Sequence, residues 1–239
     1  MQDCSSWFRS GVHAGSGAPM RGGEWALGAA LLASYPLSFV LPGAWAREAG
    51  PLENAQVAVL LIGALLALRF FLGTRPARSA MLGLWAAPVW LILAGRELSW
   101  GRAWLQEPGI DAAGRLVAVT PHWLQALAWP CAAALLAWML FCAWRYRIDR
   151  LARSALARRT PWLCLAIAVG GALGSTCAEG HMSCSMDLSP ARAQLFEELC
   201  ELLAYSALCM IQHAVLLHQA RPGMAAPLAR SAKKTEEVG

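Results

Sequence analysis

Six long stretches of this chain contain no aspartate, glutamate, lysine or arginine and consist mostly of apolar residues. They cover residues 25–46, 55–68, 79–95, 116–144, 160–178 and 202–217. Only 15% of all residues are charged, whereas a typical soluble domain has about 25%. Because so few charged residues separate the stretches, the pattern favours a membrane protein over a soluble helical bundle.

A helix that crosses a membrane needs about 20 mostly apolar residues, and its backbone groups must be paired within the segment. The sequence therefore predicts an all-α fold, a polytopic transmembrane helix bundle of about six spans. The predicted spans are residues 25–46, 53–73, 79–97, 122–144, 160–178 and 195–217, within a transmembrane domain of residues 21–218. Residues 1–20 and 219–239 are predicted to be disordered tails and residues 101–121 a loop, with helix kinks at Pro36, Pro42, Pro88 and Pro130.

The distribution of basic residues predicts the orientation of the bundle. When the N-terminus is placed in the cytoplasm, most lysines and arginines fall on the cytoplasmic side, as the positive-inside rule requires. Residues 1–19 contain no apolar core of a signal peptide. We therefore expect a multi-pass protein of the bacterial cytoplasmic (inner) membrane, with both termini in the cytoplasm. The tail of residues 219–239 is then cytoplasmic. The formal net charge of +5 then needs no nucleic acid to explain it, and the lipid bilayer is the expected partner.

A basic segment follows the fourth predicted span, from Arg145 to Arg159. Ile148, Leu151 and Leu156 recur at helical spacing among its arginines, which predicts an amphipathic helix. Such a helix can lie on a leaflet of anionic lipids, or it can extend the fourth span.

Two cysteines, Cys177 and Cys184, lie close together in a loop that the predicted orientation places outside. If this loop faces an oxidising compartment, a disulfide between them is expected. Their spacing is not that of a zinc site or of a thioredoxin-like redox site.

Charged side chains occur at the ends of two predicted spans. Arg96 and Glu97 close the third span, while Glu197, Glu198 and Glu201 open the sixth. The predicted topology brings both positions to the outer side of the membrane, and carboxylates at the edge of an apolar segment usually have a partner or a function. On a helix, Glu201 shares a face with Glu197 and nearly shares one with Glu198. The candidate polar site comprises Arg96, Glu97, Ser99, Trp100, Arg102, Glu197, Glu198 and Glu201.

Three interpretations of this site remain open. Arg96 or Arg102 could pair with the glutamates and fix the third and sixth helices together. Two carboxylates could instead bind a divalent cation or act as acid and base, together with His181 or His122. In the third interpretation, the carboxylates change their protonation in an ion-coupled transporter. The sequence has no His-Glu-x-x-His pattern, so these two histidines are only weak metal candidates.

The segment Glu97-Leu98-Ser99-Trp100-Gly101, followed much later by Glu197-Glu198-Leu199-Cys200-Glu201, resembles a set of uncharacterised bacterial polytopic inner-membrane proteins. Their sequences carry a Glu-(Ile/Leu)-Ser-Trp-Gly motif and a later Glu-Glu-x-x-Glu helix start. The resemblance implies a multi-helix membrane protein in which these two segments act as one unit. It implies no reaction.

These observations give one leading functional hypothesis and two alternatives. The first is a carboxylate-containing site in the outer half of the membrane that handles a small molecule, a lipid or an ion. The alternatives are a structural or assembly protein without catalysis, and an intramembrane, metal-assisted lipid hydrolase. The sequence has no Gly-x-Ser-x-Gly nucleophile elbow and no phosphate-binding loop, so a non-enzymatic role is favoured. The sequence does not indicate whether the protein binds a cofactor.

Overall fold

The computed structural model describes residues 18–47, 50–74, 79–98, 107–110, 116–119, 122–159, 161–181, 184 and 188–220. Within these residues the fold consists almost entirely of helices, as predicted, with seven α-helices and a short 3₁₀ helix from Gly43 to Ala46. The α-helices are α1 (Ala18–Val40), α2 (Pro51–Thr74), α3 (Ala80–Glu97), α4 (His122–Tyr146), α5 (Ile148–Arg159), α6 (Trp162–Ala178) and α7 (Pro190–Ala220).

Most of these helices coincide closely with the predicted segments, but α1 does not. It begins at Ala18, inside the predicted tail of residues 1–20, and ends at Val40 rather than at residue 46. The end is set by Pro42, which has no backbone N–H and disfavours a helical conformation at Leu41. Pro42 therefore stands before the 3₁₀ helix, and the prediction that it kinks a continuous span is wrong. The other three prolines predicted to cause kinks do lie inside helices: Pro36, Pro88 and Pro130.

Part of the predicted loop at residues 101–121 is regular structure. Glu107–Ile110 (β1) and Leu116–Val119 (β2) form an antiparallel two-stranded ribbon, in which Glu107 pairs with Val119. The loop prediction is thus wrong for these two segments. The alternating valines of β2 fit a pleated strand, and this preference outweighs the loop signal of the Pro-Gly pair within β1.

Helix α7 is the centre of the bundle, because α1, α2, α5 and α6 all pack against it. The closest approach is to α6. A Cβ atom added at Gly171 would lie 2.6 Å from the carbonyl oxygen of Cys200. Only glycine allows the two backbones to come this near. The glycines of α6 therefore serve packing inside the chain.

The two ends of the bundle have different character. Where α2 and α7 end, Phe70 and Leu216 pack with Ile148, the first residue of α5. Arg147 adopts a left-handed conformation, with φ 52°, and separates α5 from α4. The basic helix therefore does not continue the fourth predicted span. The glutamates predicted as a site lie at the opposite end, where α3 ends and α7 begins.

Helix α5 carries an ion pair in its first turns. Arg153 Nη2 lies 2.6 Å from Asp149 Oδ2. The hydrogen bond from Arg153 holds the pKa of the Asp149 carboxyl below its usual value. This contact supports the helix locally at neutral pH and is lost as the pH falls through that lowered pKa.

Among the described residues, two helices are long and apolar enough to cross a membrane: Pro51–Thr74, and α7 over Pro190–Leu217. Trp162–Ala178 is apolar but shorter. A bundle of six spans is therefore not confirmed by helix length and composition. Large apolar side chains nevertheless cover much of the exterior, including Leu32 (83% exposed), Trp129 (82%) and Leu140 (72%).

Candidate functional site

Five glutamates gather near the start of α7, and we call them the carboxylate cluster. The position of α7 follows from its apolar neighbours, since Leu195 and Leu199 are buried against Ala46 and Leu52. With these leucines buried, Glu198 contacts α2, and Glu201 contacts α3 and α6. The carboxylate cluster consists of Glu97 on α3, Glu179 directly after α6, and Glu197, Glu198 and Glu201 on α7.

Arg96 connects α3 to the centre of the carboxylate cluster. Its Nη2 lies 3.0 Å from Glu201 Oε1, and its Nε lies 3.8 Å from Glu97 Oε1. Ser175 of α6 donates a second hydrogen bond to Glu201 Oε1, at 3.1 Å. The Arg96 side chain is 59% exposed, whereas those of Glu97 and Glu201 are 8% and 13% exposed. Glu201 thus joins three helices, and the guanidinium reaches it from the solvent-accessible side.

Tyr205 is a member of the site that the sequence reasoning missed. Its hydroxyl donates to Glu97 Oε1 at 2.8 Å, and the residue is buried. Tyr205 lies four residues after Glu201, on the same face of α7. That spacing was a signal available in the sequence, because a phenol hydroxyl in an apolar segment needs a hydrogen-bond partner.

Gln56 is the second residue that was missed. Its Nε2 donates to both the backbone oxygen and Oε2 of Glu198, at 2.9 and 2.8 Å. The residue is fully buried, and among the described residues its Oε1 is the one buried side-chain nitrogen or oxygen atom without a hydrogen-bond partner. The available signal was a lone amide near the start of an otherwise apolar run.

Glu179, Glu197 and Glu201 form the most compact part of the carboxylate cluster. One carboxylate oxygen from each lies within 4.8 Å of those of the other two. His181 Nε2 is 3.5 Å from Glu179 Oε2, but its side chain is 72% exposed. These carboxylates are close enough to share a cation, but their proximity is the only observation that suggests one, and we assign no metal site. Of the two histidines considered for a hydrolase, His181 lies at the rim of the cluster, and the side chain of His122 is outside the described part of the chain.

Several predicted site residues lie outside the described part of the chain. Ser99, Trp100 and Arg102 fall there, and His122 is described only as the first backbone position of α4. The described residues do bring together Arg96, Glu97, Glu197, Glu198 and Glu201, which the sequence had placed at one membrane depth.

The structure joins Cys177 and Cys184 by a disulfide, with their Cα atoms 5.5 Å apart. This distance is within the usual range for bonded cysteines. The bond ties the end of α6 to the segment that leads into α7.

A further polar contact lies deeper in the bundle. Trp90 of α3 donates its indole N–H to Gln212 Oε1, and Gln212 Nε2 donates to the backbone oxygen of Gly63, at 2.8 Å. All three partners are neutral, so this contact links helices without adding charge. The carboxylate cluster has a different character, because Arg96 is the one arginine or lysine that forms an ion pair with it among the described residues.

No protein-family model, curated protein or solved structure matches this chain. The geometry of the carboxylate cluster is therefore the evidence on its role.

Proposed function

We propose that this chain is a multi-pass protein of the bacterial cytoplasmic membrane, with about six spans and both termini in the cytoplasm. Exposed leucines and tryptophans on the exterior of the bundle support this proposal, because such a surface is costly in water and suited to lipid. Two helices of membrane-spanning length and composition support it as well. The basic helix α5 lies at the end opposite the carboxylate cluster, which fits a cytoplasmic position for α5 and an outer position for the cluster.

Within this bundle we propose that the carboxylate cluster handles a small ion. The observation that carries the proposal is the imbalance of charge among the described residues, where five glutamates share one ion-paired arginine, Arg96. Half-buried carboxylates in an apolar bundle are costly to ionise without compensating charge. A bound cation or proton would supply that charge. Access from the outer side would follow from the exposure of Arg96, which borders the cluster.

A structural role is the second candidate, and specific contacts favour it. Glu97, Glu198 and Glu201 each accept a hydrogen bond from a different helix or turn of the bundle, through Tyr205, Gln56 and Ser175. In this role the glutamates fix the register of α2, α3, α6 and α7, and no ion enters. The two candidates differ in whether the folded protein gains stability from a dissolved ion.

The experiment is a ligand-dependent unfolding measurement on the full chain in detergent. A ligand that binds only the folded state raises its stability by mass action. We expect Tm to rise either with one class of cation, as a saturable effect at constant ionic strength with choline as the replacement, or with the proton concentration. Glu197→Gln is the informative variant, because it removes the charge of one carboxylate of the compact group and keeps the size of the side chain, and it should weaken the response.

The opposite result would identify the structural role. In that case no metal cation and no change of pH alters Tm specifically, while Glu97→Gln and Glu201→Gln give large and strongly non-additive losses of stability.

The orientation of the protein in the membrane is tested separately with a membrane-impermeant thiol reagent, in a background with serine at Cys4 and Cys131. Asp111→Cys should react only from outside and Arg150→Cys only from the cytoplasmic side.

A further inference from the structure

The starting observation is the unpaired oxygen of Gln56. This side chain is fully buried between α2 and α7, and no donor reaches its Oε1 among the described residues. Buried polar atoms in folded proteins are almost always hydrogen-bonded, so an exception needs an explanation. The explanation must supply a donor or a cation at this oxygen.

The orientation of the Gln56 amide is fixed by its partner. The atom facing Glu198 lies near two oxygens, the backbone oxygen at 2.9 Å and Oε2 at 2.8 Å. Both are acceptors, so the atom that faces them must be the NH₂ group. The unpaired Oε1 belongs to the same planar amide and therefore lies beside the Glu198 carboxyl group.

The Glu198 carboxylate has no described cationic partner. The described contacts of Arg96 go to Glu97 and Glu201, and no basic side chain contacts Glu198 within the described ranges. Its charged neighbours in the carboxylate cluster, Glu201, Glu97 and Glu197, carry charge of the same sign. Three like charges and an apolar bundle all disfavour ionised Glu198.

We propose that Glu198 and Gln56 form a proton-binding site, in which the Glu198 carboxyl group is protonated at neutral pH and held by the Gln56 amide. The inference rests on the proposed ion-handling function and names the ion. The proton comes from a hydronium ion of the solvent, whose O–H bond breaks and leaves water, and an O–H bond forms on the Glu198 oxygen that does not accept from Gln56. This single proton removes an uncompensated charge and supplies the missing donor next to Gln56 Oε1.

A metal cation fits this position less well. It would need several further oxygen ligands around Gln56 and Glu198. The compact group of carboxylate oxygens is formed by Glu179, Glu197 and Glu201, and Glu198 is not part of it. A proton needs only the two groups that are present.

The surroundings of Glu198 contain other groups that can titrate. The pH dependence of the whole protein therefore does not report on Glu198 alone, and only the difference between the parent and a Glu198 variant does. The groups on the elements packed around it are Glu53 on α2, Arg96 and Glu97 on α3, Glu179 after α6, Glu197, Glu201 and Tyr205 on α7, and Tyr35 on α1, which contacts Phe196.

Infrared spectroscopy of the purified full chain tests the proposal directly. At neutral pH we expect the C=O stretching band of a protonated carboxyl group, absent in Glu198→Gln and retained in Glu201→Gln. In Gln56→Leu the band should remain but shift in frequency, because the amide no longer bonds to the carboxyl group. A spectrum that Glu198→Gln leaves unchanged, or a band that Gln56→Leu does not move, would overturn the proposal.

Thermal unfolding as a function of pH gives an independent readout. The carboxyl of a glutamate in an unfolded chain ionises at about pH 4.3. Because the folded protein holds the proton on Glu198 to a higher pH, the stability of the parent should fall as the pH rises from about 4.3 through neutrality, until Glu198 is ionised in the folded state as well. Glu198→Gln cannot ionise, and its amide can still accept from Gln56 Nε2 and donate to Oε1. Its profile should therefore be flatter than that of the parent. Parallel profiles would overturn the proton site.

The two proposals fail in different ways. Parallel pH profiles together with a saturable metal-cation effect on Tm would remove the proton site and leave an ion-handling protein. If the infrared band and the flatter profile of Glu198→Gln are both found, but the band persists at every pH at which the protein stays folded, the proton site stands and its role is structural.

Discussion

At the scale of single residues, Arg96 determines how the charges of the site are balanced. It contacts Glu201 and Glu97, whose side chains are largely buried, while its own side chain is 59% exposed. Removing Arg96 would leave two buried carboxylates without a cation. Removing Glu201 would leave a guanidinium that water can still solvate. The loss of stability should therefore be larger for Arg96→Gln than for Glu201→Gln.

A double-mutant cycle between Arg96→Gln and Glu201→Gln measures their direct interaction. We expect a coupling free energy of about 1 kcal/mol, lower than for a fully buried pair because water screens Arg96. The measurement is reversible unfolding in detergent. Arg192→Gln is the matched control, since Arg192 lies over the Phe39 ring at 4.7 Å and should not couple to Glu201. Equal coupling for both arginines would show that only net charge matters.

Tyr205→Phe removes one hydroxyl and keeps the ring. The hydroxyl donates to the largely buried Glu97 carboxylate at 2.8 Å, and hydrogen bonds to charged groups contribute about 1.5–3 kcal/mol. We expect a loss of free energy of unfolding in that range. Tyr35→Phe is the control, because its ring contact with Phe196 is retained. Equal losses for the two variants would contradict a specific role for the Tyr205 hydroxyl.

At the scale of elements, the contact between α2 and α3 depends on small residues, and Gly63 is one of them. A Cβ atom added at Gly63 would lie 2.5 Å from the Trp90 ring, whose indole N–H is bonded to Gln212. The absence of a side chain at residue 63 therefore lets Trp90 lie flat against α2. It also leaves the Gly63 carbonyl oxygen free to accept from Gln212. Gly63 thus determines both the packing of the Trp90 ring and the hydrogen bond from Gln212.

Gly63→Ala should force the Trp90 ring away from α2. Overpacking of this kind costs about 1–3 kcal/mol, and the loss should appear in thermal unfolding together with a changed tryptophan fluorescence spectrum. Gly22→Ala is the control, because nothing lies within 4 Å of a Cβ atom added there, and alanine is favoured over glycine in a helix by about 0.5–1 kcal/mol. If both variants gain stability, the close approach of Trp90 is not a constraint.

At the scale of the whole molecule, the sequence predicted the helices and the meeting of their charged ends, but not the details of the contacts. Uncharged apolar runs are sufficient to locate helices such as α2 and α3. The pairing of Arg96 with Glu201 was among the predicted alternatives. Gln56 and Tyr205 were missed because each is a single polar residue in an apolar run, and its partner depends on how α7 crosses α2 and α3. No local pattern in one helix contains that crossing.

The disulfide relates the site to the orientation of the whole bundle. Cys177 and Cys184 are bonded near Glu179, at the end of the bundle away from α5, and disulfides persist on the oxidising side of a membrane. In cells quenched with acid and then denatured, both thiols should resist a mass-tagged maleimide until a reductant is added. Serine at both positions should cost about 2 kcal/mol, given the short loop that the bond closes. Immediate labelling of both cysteines would place this end of the bundle on the reducing side, and with it the carboxylate cluster.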